Sequence, residues 1–90
     1  MIRYHAIIDG RVQGVGFRFQ AQMTAAENDV TGWVQNKSDS TVELEAQGEQ
    51  TNVDAFFSKL QSLPYPVKIK KIDKTEKEIV PGEAKFKIEH

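Results

Sequence analysis

The run "TVELEAQG", residues 41–48, alternates more cleanly than any other stretch of the chain. Val42, Leu44 and Ala46 fall on one side, and Thr41, Glu43, Glu45 and Gln47 on the other. A period of two marks a half-buried strand. Just upstream, "VTGWVQN", residues 30–36, reads as a second strand, and "KSDS", residues 37–40, supplies the small polar residues that close a tight turn. Together these three pieces predict an antiparallel hairpin.

A helix is predicted on each side of the hairpin. After it, Val53, Phe56, Phe57 and Leu60 recur at i, i+3, i+4 and i+7, one apolar stripe. Thr51 followed by Asp54 has the spacing of a capping box and is read as the start of this helix. Leu63-Pro64-Tyr65-Pro66 stops it. Before the hairpin, a helix is predicted from Phe17 to about Asn28, with Phe19, Met23, Ala26 and Val30 as its core-facing stripe.

Strands lie further out. In residues 2–9, Ile2, Tyr4, Ala6 and Ile8 share a face against Arg3, His5 and Asp9, and Asp9-Gly10 ends the run. Residues 67–76 form a strand whose phase slips, because Val67 and Ile69 share a face that Ile72 does not; a bulge or an edge position accounts for this. After Pro81-Gly82, Ala84, Phe86 and Ile88 alternate with Lys85, Lys87 and Glu89 in a last short strand. The order is β-α-β-β-α-β plus a short extra strand. One apolar face per strand and one stripe per helix imply an α+β, ferredoxin-like split β-α-β sandwich, with two helices on one face of a mainly antiparallel sheet. Residues 1–90 are read as a single domain without a linker or repeat.

Composition narrows the chemistry. A net charge of −1 gives no overall bias towards nucleic acid or acidic membranes, so any anion site must be local. The chain has no cysteine, which excludes disulfides, thiolate chemistry and cysteine-based metal sites. Its two histidines, His5 and His90, are far apart; His5 is read as a strand residue and His90 as a mobile terminal one. The start "MIRYHAIIDG" is too short and polar for a signal peptide, and no apolar run reaches membrane-span length, so a cytoplasmic protein is expected. The basic run "KIKKIDK", Lys68 to Lys74, reads as a solvated edge-strand face that discourages strand pairing, with a weak anion surface as the alternative.

Between the first strand and the first helix lies "GRVQGVGFR", residues 10–18. A strand-to-helix turn points orphan N–H groups outward, with the positive end of the helix dipole behind them. Gly14 and Gly16 remove side chains that would keep an oxyanion off the backbone, and Arg18 adds a permanently charged donor fork. A simple turn and an anion cradle are both compatible with this spacing. The loop lacks the Gly-Lys-Ser/Thr of a Walker loop and the glycine spacing of a dinucleotide fingerprint. Asn36, at the end of "TGWVQN", is either a turn former or an amide that holds a water. Trp33 reads as a large sheet residue.

"GRVQGVGFR", then "TGWVQN", then "VELEAQG" at these spacings resembles the acylphosphatases, over nearly the whole chain to the closing "FKIEH". The resemblance implies a hydrolase that splits acyl phosphates into a carboxylate and inorganic phosphate. It implies a small-molecule substrate, no cofactor or metal, no nucleic-acid or membrane partner, and a monomer. It assigns phosphoryl binding to the amides of Gln13, Gly14, Val15, Gly16, Phe17 and Arg18 and to the Arg18 side chain, and orientation of the attacking water to Asn36. The chain departs from the family pattern at Gln35, where a basic residue is common, at Asp39-Ser40, where Asp-Gly is common, and at Phe19, where Tyr is common. The alternatives are a non-catalytic anion-binding module and an RNA-binding module of the same fold. The second needs exposed aromatics on central strands, where Glu43 and Glu45 are expected instead.

Overall fold

A computed structural model describes residues 1–90. In chain order its elements are β1 (Ile2–Arg11), α1 (Phe17–Glu27), β2 (Thr31–Asn36), β3 (Val42–Gly48), α2 (Gln50–Gln61), β4 (Lys68–Lys77) and β5 (Phe86–Ile88). They form one sheet in the order β4-β1-β3-β2-β5. β1 runs antiparallel to β3 and β4, β2 is antiparallel to β3, and β5 lies parallel to β2. Both helices pack on the same face, so the architecture is the expected α+β, ferredoxin-like one.

The alternation in β1 and β3 becomes cross-strand pairing. Ala6 stands opposite Leu44 and Ile8 opposite Val42, and all four are fully buried. Val53, Phe56, Phe57 and Leu60 of α2 close over them in one core with Phe17 and Val34. The phase slip in β4 has both expected causes. The register jumps between Asp9, opposite Lys71, and Gly10, opposite Ile69, which leaves Lys70 as a bulge, and β4 is an edge strand. A Cβ at Gly10 would overlap the Lys68 carbonyl, so only glycine fits there.

Three local expectations are corrected. The buried stripe of α1 is Phe17, Ala21, Thr24 and Ala25. Phe19 and Met23 are 58% and 45% exposed, Ala26 is exposed, and of the expected stripe only Val30, beyond the helix end, is buried. Two stripes of similar apolarity compete on this helix. Phe17, 1% exposed and first after the glycine loop, fixes the rotation, and alanines let the helix lie close to the sheet. In α2, Thr51 does not cap. The helix starts directly after β3, with Glu49 as N-cap and no side-chain capping bond, and Gln50 Nε2 donates to Asp54 Oδ1 at 3.0 Å. Ala84 lies outside β5 and is exposed.

The opposite face of the sheet is only partly open. Arg3 and Gln47, on the polar side of their strands, are 2% and 3% exposed because the connector between β4 and β5 crosses them. Arg3 donates from Nε to Glu45 at 2.6 Å, from Nη1 to Gln47 at 3.1 Å, and in a two-pronged contact to Glu83 at 2.8 and 3.3 Å. Gln47 accepts from the Val80 N–H at 2.7 Å and donates to the Val80 carbonyl at 3.0 Å. Burial opposes the charge on Arg3, but its bonds to Glu83 and Glu45 outweigh it and hold the guanidinium above its ordinary value. The connector strapped down in this way delivers β5 to the edge of β2.

Candidate active site

β1 ends at Arg11, Val12 turns into the core, and the glycine loop follows. Gly14 and Gly16 have φ of 71° and 77°, in the left-handed region where side-chain-bearing residues are strained. A Cβ at either would meet nothing within 4 Å, so the space above both is open. Gly16 is the N-cap of α1, and the first helical bond runs from the Gln20 N–H to the Gly16 carbonyl at 3.1 Å. The amides ahead of Gln20 are therefore free to meet an oxyanion.

Asn36 arrives from the other side, as the last residue of β2, paired in register with Val42. One side chain ties the two halves together. Gln13 Nε2 donates to the Lys37 carbonyl at 2.7 Å and to the Thr41 carbonyl at 2.8 Å, across the mouth of the β2–β3 hairpin. The turn itself is closed by Asp39, which accepts from the Thr41 amide at 3.0 Å and its hydroxyl at 2.6 Å. These bonds, the hydroxyl first, hold the Asp39 carboxyl below the usual carboxylate range. Ser40 completes the turn at φ 76°, a conformation that glycine adopts without strain.

A cavity of about 230 Å³ results, and Gly14, Gly16, Phe17, Arg18 and Asn36 all line it. Gln13 and Val15 do not: Gln13 is used in the tether, and Val15 packs against the core. Phe19, Ile88 and His90 also line the cavity, and sequence reasoning assigned none of them to the site. His90 is there because β5 adds to β2 in parallel and Glu89 N–H bonds the Val34 carbonyl at 2.8 Å, which brings the end of the chain alongside Asn36. The alternation through Ile88 was the available signal, but it does not say which edge the strand joins.

Arg18 is half-buried and has no carboxylate partner. Its Nη1 makes only long contacts, to the Glu89 carbonyl at 3.3 Å and to His90 Nδ1 at 3.4 Å. The departures from the family pattern sit elsewhere or at the rim. Gln35 points to the opposite face and donates to Glu43 at 2.7 Å, and Phe19 stands exposed at the cavity wall. His5 also lies on that opposite face, where its Nε2 is 2.7 Å from Glu43 and its ring meets Trp33 edge-on at 6.4 Å. No three His, Asp or Glu side chains gather in a group that could hold a metal ion. The cavity thus gathers two left-handed glycines, a permanently charged guanidinium and an uncharged amide around one space.

The sequence pattern of the family described as acylphosphatase matches residues 4–88. An acylphosphatase of Clostridium beijerinckii is 43% identical over 90 residues, covering 100% of both chains. One of Geobacillus thermodenitrificans is 40% identical over 88 residues, 98% of this chain and 94% of that one. The crystal structure of acylphosphatase from Bacillus subtilis superposes with a TM-score of 0.93 at 37% identity, covering 100% of both chains.

Proposed function

The chain belongs to the acylphosphatase family, hydrolases acting on acyl phosphates, and on that premise we propose how its own residues do this chemistry. The amides of the Gln13–Arg18 loop, of which Gly14, Gly16, Phe17 and Arg18 line the cavity itself, and the Arg18 guanidinium hold the phosphoryl oxygens, and Asn36 orients the attacking water. The observation that carries this reading is the single cavity lined by both left-handed glycines, Arg18 and Asn36.

The reaction asks little more of the protein. An acyl phosphate is a mixed anhydride whose leaving carboxylate has a conjugate acid of pKa about 4–5, by analogy with side-chain carboxyls, so it departs without a proton. What remains is to position the water in line and to neutralise charge on the phosphoryl oxygens. The Asn36 amide is not a base, so a phosphoryl oxygen takes the proton of the water as the O–P bond forms and the P–O bond to the acyl group breaks. This scheme uses neither histidine and no metal ion. Full turnover is expected in the presence of chelator.

A binding-only module would keep the loop and Arg18 but has no use for Asn36 in the same cavity, which favours turnover. Hydrolysis of benzoyl phosphate tests the reading. Asn36→Ala is expected to lose turnover by about 10²-fold while inorganic phosphate still inhibits at the parental concentration. An Asn36→Ala protein as fast as its parent would remove the assigned role. The same reading takes residues 1–90 as one domain, a cytoplasmic monomer with no nucleic-acid partner; sedimentation at working concentration tests the monomer.

A further inference from the structure

The end of the β1–β4 ladder carries charges that folding alone does not favour. Arg11 and Lys68 stand directly opposite each other, and like charges so placed destabilise a sheet. The bulge sets Lys70 beside them. All three side chains are exposed, and none forms an ion pair or a hydrogen bond. The chain has 13 acidic against 12 basic residues, so carboxylates are not scarce, yet none lines this place. Arg11, Lys68 and Lys70 instead line an open cavity of about 460 Å³ with Gly10, Val12 and Gln13. Val12 also lines the Arg18–Asn36 cavity, so the two adjoin. From Arg11 to Gly14 is three residues, at most about 11 Å of chain. Lysines on β4 suffice to protect an edge strand; an arginine facing them from β1 does not serve that purpose.

We propose that Arg11, Lys68 and Lys70 form a second anion subsite that reads the acyl half of the substrate and selects acyl phosphates bearing a further anionic group, carboxylate or phosphate. The proposal rests on the acylphosphatase reading of the adjoining loop. A concave cluster of one sign raises the local concentration of a doubly anionic substrate, and the Arg11 fork can grip its distal oxygens.

Benzoyl phosphate and 3-carboxybenzoyl phosphate form a matched pair of probes, since neither cyclises and only the second has the extra anion. The readout is the ratio of their kcat/KM values. Replacing Arg11, Lys68 and Lys70 together by Gln is expected to lower the carboxybenzoyl-to-benzoyl ratio about fivefold, as for a few exposed charge pairs, and to leave benzoyl phosphate turnover in place. A control with Lys59, Lys85 and Lys87 replaced by Gln removes the same number of charges elsewhere and should keep the parental ratio. Arg11→Gln alone, the mildest change, should move the ratio in the same direction. An unchanged ratio in the triple variant overturns the subsite. An equal fall for both substrates also overturns it, since that reports a general field. A parent that hydrolyses neither probe sinks the acylphosphatase reading itself, a distinguishable result.

Discussion

Arg3 and Arg18 are the same side chain put to opposite uses. Arg3 is 2% exposed and commits four of its N–H donors to hydrogen bonds with Glu45, Gln47 and Glu83. Arg18 is half-buried at a cavity wall, has no carboxylate, and reaches only a carbonyl and a ring nitrogen at 3.3 and 3.4 Å. A guanidinium has five N–H donors in a fixed fork. Where acceptors within the chain occupy nearly all of it, the cation belongs to the fold. Where they are withheld, donors stay open, as the phosphoryl-binding role proposed for Arg18 requires. Position along a strand or helix does not separate these roles; the acceptors brought in from elsewhere do.

The sharpest way to break this contrast is to remove each arginine in turn. Arg18→Ala should lower hydrolysis of benzoyl phosphate by about 10²–10³-fold and weaken phosphate binding, with little change in the thermal midpoint. Arg18→Lys should recover little, because an ammonium lacks the planar fork. Arg3→Ala should do the reverse. It leaves carboxylates on a covered face without their cation, and about 3 kcal/mol of stability should go, read from urea midpoints, while turnover per folded molecule persists. If Arg3→Ala abolished turnover in a fully folded protein, the division between the two arginines would be wrong.

Smaller changes sharpen the contrast. Ser40, at φ 76° in the hairpin beside the site, should be improved by Ser40→Gly, which relieves about 1 kcal/mol of backbone strain and raises the urea midpoint. The smallest effect appears only in acid. The Glu43 carboxyl is held below the usual carboxylate range, first by its bond with His5 and then by that from Gln35. A depressed folded value contributes stability fully above the unfolded carboxylate value, about 4.3, and loses it as the pH falls through the lower folded value. Glu43→Gln should therefore flatten the loss of stability below about pH 4 and leave turnover at neutral pH alone. Urea midpoints at neutral and acid pH would show this, and parallel acid losses in both proteins would contradict it.

Much of the fold was legible because β1, β3 and α2 each present one unambiguous apolar face, as Ala6 and Ile8, Val42 and Leu44, and Val53 to Leu60 show. The buried face of α1 is not legible in the sequence because its period is satisfied by two stripes, and only the anchoring of Phe17 after Gly16 chooses between them. Alternation places Arg3 and Gln47 on the polar faces of their strands but does not say what covers them; their cover comes from Val80 and Glu83, far along the chain. The spacing of Gly14, Gly16 and Arg18 left a turn or a cradle equally open. The resemblance of the paired motifs supplied the roles, and the shared cavity with Asn36 supplies the geometry. The sequence points only to the backbone amide of Gln13, since a side chain bonded to carbonyls beyond the next strand leaves no mark on local periodicity.

That one side chain has a mechanical consequence. Gln13 is a strut between two otherwise separate pieces, gripping the hairpin at Lys37 and Thr41 while its own backbone belongs to the loop. Two short bonds therefore fix the loop against the mouth of the hairpin. In the proposed mechanism the loop holds the phosphoryl group and Asn36 the water, so the same two bonds would set the distance between the reacting partners.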